Sequence, residues 1–370
     1  MYIHRAGHVG AISGSCLEGE VVRKAAWITR NGAAVERYST LFDEVLEEGA
    51  AAETREIPYG LGCGGVIDVM LEPVATPEAD AMLRAMEAAQ RGETFYAATV
   101  LPAVGARLAR VVVRGEGSAV GDSIFFASAH LGAEHQSQLA RMAAGRKYAD
   151  TVSAVVGEAT EDVFLEPIVP PQRLVILGAG DDVRPLARMA NLLGWHIAVA
   201  DGRAWLAQAA RFPEAKQVLA LEEGADNVEE LRIVDRDAVV LLTHSFDQDK
   251  TLLRKLLPLE LRYLGLLGAR HRSRILLQEV GQQLGWTPEQ CLERVHAPVG
   301  LDLGGDSPEA VALAILAEIQ AELHAKRAIS RRMSEEALHS IPDRPYVPTQ
   351  CPIDNDPEPS DAYPTIEITH

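Results

Sequence analysis

Leu174-Val175-Ile176-Leu177-Gly178-Ala179-Gly180 is the stretch whose reading decides the fold. Four apolar residues in a row read as a short strand buried on both faces, as in a parallel sheet covered by helices. The Gly-x-Gly that follows is a tight turn into a helix whose first amides lack intrahelical partners and can hold a phosphate. Val183 stands where the third glycine of the usual pattern would be, so the turn by itself can be a phosphate cradle or simply a tight turn. Downstream the pattern repeats as apolar run, turn and amphipathic helix. It predicts strands at 173–177, 196–201, 217–219, 237–242, 262–267 and 294–296. A last helix opens with Ser307-Pro308-Glu309 and carries Val311, Ile315, Ile319 and Leu323 at four-residue steps, an N-cap followed by one buried stripe.

This alternation makes 173–327 a Rossmann-like parallel-sheet domain of the α/β class. In such a sheet, ligands sit outside the carboxyl ends of the strands, so the polar residues there are expected to converge on one crevice. Gly178, Gly180 and Asp181 belong to the first turn. Asp201 ends the second strand, where an acid can accept hydrogen bonds from ribose hydroxyls or cap a helix, and Arg203 beside it can meet a phosphate. The fourth strand exits into Thr243-His244-Ser245-Phe246-Asp247, and the sixth into His296-Ala297-Pro298-Val299-Gly300-Leu301-Asp302. His244, Asp247, His296 and Asp302 are therefore site candidates, though a histidine can equally be a satisfied core or surface residue. Arg270 and Arg272 open a helix and can be solvated face residues.

Residues 1–150 read as a separate α/β domain. Its signals are a glycine turn entering a strand at 61–71, a helix from the Thr76-Pro77-Glu78 cap to about Gln90, strands at 94–101, 108–114 and 125–127, and an alanine-rich helix at about 134–145. Residues 151–172, ending in Glu166-Pro167-Ile168-Val169-Pro170-Pro171, are expected to be a linker, because proline favours extended, unpaired chain. The proline-rich, acidic stretch 328–370 is expected to be a disordered tail. Two cysteines stand among residues with almost no side chain, Cys16 in Ser13-Gly14-Ser15-Cys16-Leu17-Glu18-Gly19 and Cys63 in Gly60-Leu61-Gly62-Cys63-Gly64-Gly65. Exposed amides in such loops can bind anions and lower a thiol pKa, so either sulfur can serve as ligand or nucleophile, or be a small buried filler.

Bulk properties narrow the function. The 370-residue chain has a net charge of −18, which repels the phosphate backbone of nucleic acid. No stretch has the uninterrupted apolar length of a membrane span, and the N-terminus has no signal-like apolar run. Cys16, Cys63, Cys291 and Cys351 are too few and too scattered for a disulfide framework. A cytoplasmic location without membrane insertion is the expectation.

Taken together, six motifs resemble the XdhC/CoxI family, in that family's own order. They are Ser-Gly-Ser-Cys-Leu-Glu at 13–18, Gly-Leu-Gly-Cys-Gly-Gly at 60–65, Gly-Ala-Gly-Asp-Asp-Val-Arg-Pro-Leu at 178–186, Asp-Gly-Arg at 201–203 with Arg-Phe-Pro at 211–213, Thr-His-Ser-Phe-Asp at 243–247, and Ala-Pro-Val-Gly-Leu-Asp at 297–302. The resemblance covers about residues 1–327 and implies an XdhC/CoxI-type N-terminal domain before the Rossmann-like one. It implies a chaperone-like accessory factor that binds molybdenum cofactor, a phosphate-bearing molybdopterin or its dinucleotide form. Such a factor assists sulfuration of the cofactor and delivers it to an apo molybdenum hydroxylase such as xanthine dehydrogenase or carbon monoxide dehydrogenase. A cysteine desulfurase or sulfurtransferase is the implied sulfur source. On this reading Gly178, Gly180, Asp201 and Arg203 hold the phosphate or nucleotide portion, with Asp181 among the cofactor-binding residues. Cys63 and Cys16 lie near the molybdenum or receive sulfur, with Cys63 the candidate metal ligand, since thiolate suits a soft partner, and Gly64 counts among the cofactor-binding residues.

Two departures from the family's pattern stand out. The usual opening strand and Gly-Ser-x-Pro-Arg-x-x-Gly segment are missing ahead of the first cysteine loop, and Ser15 replaces a glycine beside Cys16. The sheet edge this leaves is the basis for expecting a homodimer. The competing reading is an NAD(P)-dependent oxidoreductase, which a Rossmann pattern alone supports. Against it, the first half offers glycine loops and cysteines rather than a convergent acid or base.

Overall fold

A computed structural model describes residues 1–4, 7–12, 16–39, 57–58, 66–102, 107–115, 123–157, 159–225 and 227–326. The chain divides between Val169 and Pro170 into two compact units.

The N-terminal unit begins with a two-stranded ribbon, β1 (Tyr2–His4) and β2 (Gly7–Val9), followed by helix α1 (Cys16–Ile28). Strands β3 (Ala34–Ser39), β4 (Ile57–Pro58) and β5 (Val66–Leu71) form a small sheet in the order β4-β3-β5. Leu17 and Val21 of α1 pack there with Tyr38 and Leu71. Helix α2 (Pro77–Gln90) starts where the sequence requires it: Oγ1 of Thr76 accepts from the Ala79 amide at 3.2 Å, and Pro77 has no amide to leave unpaired.

Strands β6 (Phe95–Val100), β7 (Ala109–Arg114) and β8 (Ile124–Ala127), helix α3 (Ala133–Ala143), and strands β9 (Asp150–Val156) and β10 (Ala159–Ile168) complete the unit. The five strands form one antiparallel sheet in the order β8-β7-β6-β10-β9. Strand alternation gives each face its own core. Phe95, Ala97, Val112 and Ile168 meet α2, whereas Ala98, Val111, Val113, Val163 and Leu165 meet α3.

The expected linker at 151–172 is corrected by this sheet, because β10 is a central strand and β9 its edge partner. Pro167 is tolerated there for a geometric reason. The Leu101 amide donates to the Asp162 carbonyl at 2.8 Å, so even-numbered residues of β10 turn their backbone groups toward β6 and odd-numbered ones toward β9. Pairing with β9 ends at Leu165 opposite Asp150, so the missing amide of Pro167 faces a side with no partner strand.

In the C-terminal unit, β11 (Arg173–Leu177), α4 (Val183–Leu192), β12 (His196–Asp201), β13 (Gln217–Ala220), β14 (Ala238–Leu241), α5 (Phe246–Leu256), β15 (Tyr263–Leu266), α6 (Arg270–Leu284), α7 (Pro288–Leu292) and α8 (Pro308–Leu323) follow in sequence. Their five strands are all parallel, in the order β13-β12-β11-β14-β15. One face packs Leu174, Ile176, Ile197, Val199 and Val240 on α4 and α8; the other packs Val175, Leu177, Val239 and Leu241 on α5 and α6. Burial on both faces is why these strands read as continuous apolar runs rather than alternating ones. The sixth strand expected at 294–296 reduces to a single bridge, Gly265 to His296. No helix among the described residues is long and apolar enough to cross a membrane.

Candidate functional site

The strand order reverses between β11 and β14, so the carboxyl ends of these two parallel strands open the crevice where sheets of this kind bind ligands. Gly178 lies at that opening. Its φ is +138°, and a Cβ there would stand 2.2 Å from the Leu242 carbonyl oxygen, so only glycine lets the turn pass this close to the exit of β14. The Gly178 amide is used by the Ala200 carbonyl and the Ala179 amide by Asp201, at 2.7 Å each. Among the described residues no acceptor meets the amides of Gly180, Asp181 and Asp182, at the entry to α4. Unpaired amides with a helix dipole behind them form an anion site.

Charged groups surround this turn. Arg203 donates through Nε and Nη2 to the two Asp201 oxygens at 2.9 and 2.8 Å, and through Nη2 to the Thr243 carbonyl at 3.3 Å. Because β12 and β14 flank β11, a guanidinium bonded at both of their ends lies across the end of β11. Arg211 ties the turn from its other side, donating to the carbonyls of Ala179 at 2.6 Å and Leu206 at 2.9 Å and to Asp181 Oδ1 at 2.9 Å. Asp181 is otherwise exposed. Asp182 pairs with His244, Oδ2 to Nε2 at 2.8 Å, and His244 holds a left-handed backbone with φ +60°. Burial opposes ionisation of Asp201, but the Arg203 hydrogen bonds and the Ala179 amide outweigh it and hold the carboxyl below the usual aspartate range.

The exit of β14 is itself braced. Thr243 Oγ1 donates to Asp249 Oδ1 at 2.6 Å, and Arg272 Nη2 donates to Asp249 Oδ2 at 2.7 Å. Arg272 is thus a half-buried strut rather than a solvated face residue, and its partner Asp249 is fully buried. Beside the turn opens a cleft of ≈ 440 Å³, lined by Gly202, Leu221, Ser245, Gln248 and Thr251 with the carboxylates of Glu222, Glu223 and Asp247.

Of the expected residues, Gly178, Gly180, Asp181, Asp201, Arg203 and His244 meet at the turn, and Asp247 lines the cleft. His296 does not join them. It stacks on Tyr263 at 4.4 Å, 3.6 Å from Glu318, at the edge of the sheet. Gly265 makes room for that arrangement, since a Cβ there would stand 2.5 Å from Val299 Cγ2. Asp302 is exposed in the segment that follows, which runs against α8 through the bond from the Leu301 amide to the Ala314 carbonyl. Neither residue touches the turn. The reading of Asp201 as a ribose acceptor also needs correction, because the residue is 0% exposed and its oxygens are already taken. Cys16 begins α1, but its side chain, like all of Cys63 and Gly64, lies outside the described residues.

Asp182 and Arg211 were quoted from sequence only as members of motifs, with no role assigned, and Asp249 was not singled out. Arg211 sits in an irregular loop eight residues past Arg203, and Asp249 has the spacing of an ordinary first-turn acid. Only the long-range bonds give them roles.

A doubly wound parallel sheet with a glycine turn at its switch point defines a Rossmann-type domain. Residues 174–319 match the model of the XdhC Rossmann domain family. Over 163 residues the chain is 34% identical to a probable xanthine dehydrogenase subunit of Bacillus subtilis, covering 44% of this chain and 46% of that one. Over 242 residues it is 31% identical to the uncharacterized protein YqeB of Escherichia coli, covering 63% of this chain and 44% of that one. The chain therefore spans somewhat under half the length of these curated relatives. The solved structure of a xanthine dehydrogenase from Bacillus halodurans is similar along most of both chains, with a TM-score of 0.67, 26% identity, and coverage of 91% of this chain and 88% of that one.

Proposed function

We propose that the chain is an accessory factor of the xanthine dehydrogenase system that binds molybdenum cofactor, assists its sulfuration and delivers it to an apo molybdenum hydroxylase. The observation that carries this reading is the turn before α4: three amides that meet no acceptor among the described residues, closed in by Gly178 and crossed by the Arg203 guanidinium. These features fit the phosphate of a pterin cofactor. The adjoining cleft supports the same assignment, because Glu222, Glu223 and Asp247 offer acceptors to the amino-amide edge of a pterin. When bound in a hydroxylase, this cofactor supplies the molybdenum dithiolene centre of oxygen and electron transfer.

The chain's own residues bind and orient. Gly180, Asp181 and Asp182 offer amides to the phosphate, Arg203 and Arg211 balance its charge, and the Thr243–Asp249–Arg272 brace keeps the crevice wall in place. The thiols of Cys16 and Cys63 are the soft groups assigned to the metal and sulfur end. A cysteine desulfurase or sulfurtransferase, a hydroxylase partner, a homodimeric state and a cytoplasmic location belong to this proposal.

Purification from a host replete in molybdenum cofactor tests it. Molybdenum and the fluorescent oxidation products of the pterin are expected at near-stoichiometric levels, and their absence overturns the reading. Cys63→Ala is expected to lose bound cofactor; unchanged pterin and molybdenum content in that variant removes Cys63 from the site. Tight, saturable binding of reduced nicotinamide cofactor, followed by its fluorescence, would instead favour the oxidoreductase alternative.

A further inference from the structure

The acid that ends the second strand of a dinucleotide-binding sheet ordinarily accepts the ribose hydroxyls. An ionised carboxylate has about four lone-pair positions. In Asp201 all four are used: Oδ1 accepts from the Arg203 amide at 2.8 Å and Arg203 Nε at 2.9 Å, and Oδ2 accepts from the Ala179 amide at 2.7 Å and Arg203 Nη2 at 2.8 Å. The residue is fully buried. A ribose diol could reach it only by displacing a two-bond guanidinium pair or the amide that fixes the turn.

The four donors also show what Asp201 does. One comes from the turn after β11 and three from the exit of β12, so the carboxylate clamps the two strand ends together. The same contacts fix the direction of Arg203, whose Nη2 reaches on to the Thr243 carbonyl beyond β11. With Nε and Nη2 committed, Nη1 has no acceptor among the described residues, and the side chain is 40% exposed. Asp201 therefore presents a guanidinium edge over the mouth of the phosphate turn and presents nothing to a sugar.

We infer that Asp201 is a positioning residue for the anion site, and that this site recognises a phosphate or pyrophosphate group without reading ribose. Phosphate esters on a ring or chain that lacks ribose are then accepted on equal terms with ribonucleotides. The inference rests on the proposed phosphate role of the turn and goes beyond it by specifying the ligand's chemistry.

Calorimetric titration of the full chain with ADP, with 2′,3′-dideoxy-ADP and with inorganic pyrophosphate is the test. ADP and its dideoxy analogue are expected to bind within about threefold of each other, whereas a diol held by a buried charged acceptor is worth about tenfold or more. ADP binding tenfold or more tighter than the analogue overturns the inference and leaves the phosphate role standing. If neither nucleotide nor pyrophosphate binds, the phosphate role fails and the inference falls with it. Asp201→Asn gives a second readout. Pyrophosphate has no ribose, yet a folded variant is expected to lose about tenfold or more of its affinity, because Arg203 is no longer held by a charged pair. Unchanged pyrophosphate affinity in that variant refutes the positioning role.

Discussion

Gly178 shows how much can rest on one residue. A methyl group there would collide with the Leu242 carbonyl at 2.2 Å in a backbone already at φ +138°. Gly178→Ala is expected to cost about 3 kcal/mol, as a lower urea midpoint, and to abolish pyrophosphate binding even under conditions where the variant remains folded. Glu166 makes the opposite case. It lies on the α2 face of β10, where burial raises its pKa above the ordinary 4.5 despite the nearby Arg110. An acid whose folded pKa is raised costs stability above that value, and the cost is relieved as pH falls through it. Glu166→Gln is therefore expected to melt higher than the parent at pH 8 and to lose that advantage below the ordinary glutamate range. Asp201 works in the reverse direction: its lowered pKa contributes stability at neutral pH that is lost only as pH falls below the ordinary 3.8.

At the scale of elements, the antiparallel sheet is tied to the start of α2 by one buried cation. Arg110 of β7 is 1% exposed; it bonds Thr99 of β6 at 2.9 Å, the Glu78 carbonyl in the first turn of α2 at 3.0 Å, and Glu72 at 3.1 Å. Ser128 adds a bond from its hydroxyl to Glu78 at 2.7 Å. Removing one partner of a buried ion pair strands the others, so Arg110→Leu is expected to cost about 3 kcal/mol in chemical denaturation and to loosen amide-exchange protection in β6, β7 and the first turn of α2.

For the whole molecule, division into two compact units implies two unfolding events that a ligand can separate. The turn proposed to bind an anion lies within the second unit. In scanning calorimetry, pyrophosphate at a hundred times its Kd is expected to stabilise that unit by about 2.7 kcal/mol and leave the transition of the first unit in place. An equal shift of both transitions would contradict the assignment of the site to one unit.

The sequence by itself determined the local features. Apolar runs bounded by glycine and polar residues put β11 and β12 at 173–177 and 196–201, and the Thr76-Pro77 and Ser307-Pro308 pairs set the starts of α2 and α8. Such signals are carried by neighbouring residues and survive without knowledge of the fold. The same holds for the glycine turn after β11, which needs only a strand, two glycines and a helix in succession. Tertiary structure alone decided what depends on partners far along the chain. Pro167 reads as a linker residue until the register of β10 shows that its nitrogen faces no strand. His296 reads as a crevice residue until it is found stacked on Tyr263. Asp201 reads as a ribose acceptor until its four donors are counted, one of them 22 residues away. The physical reason is common to all three: a hydrogen-bonding group is defined by what already occupies it, and that occupancy comes from long-range packing rather than from the residues on either side.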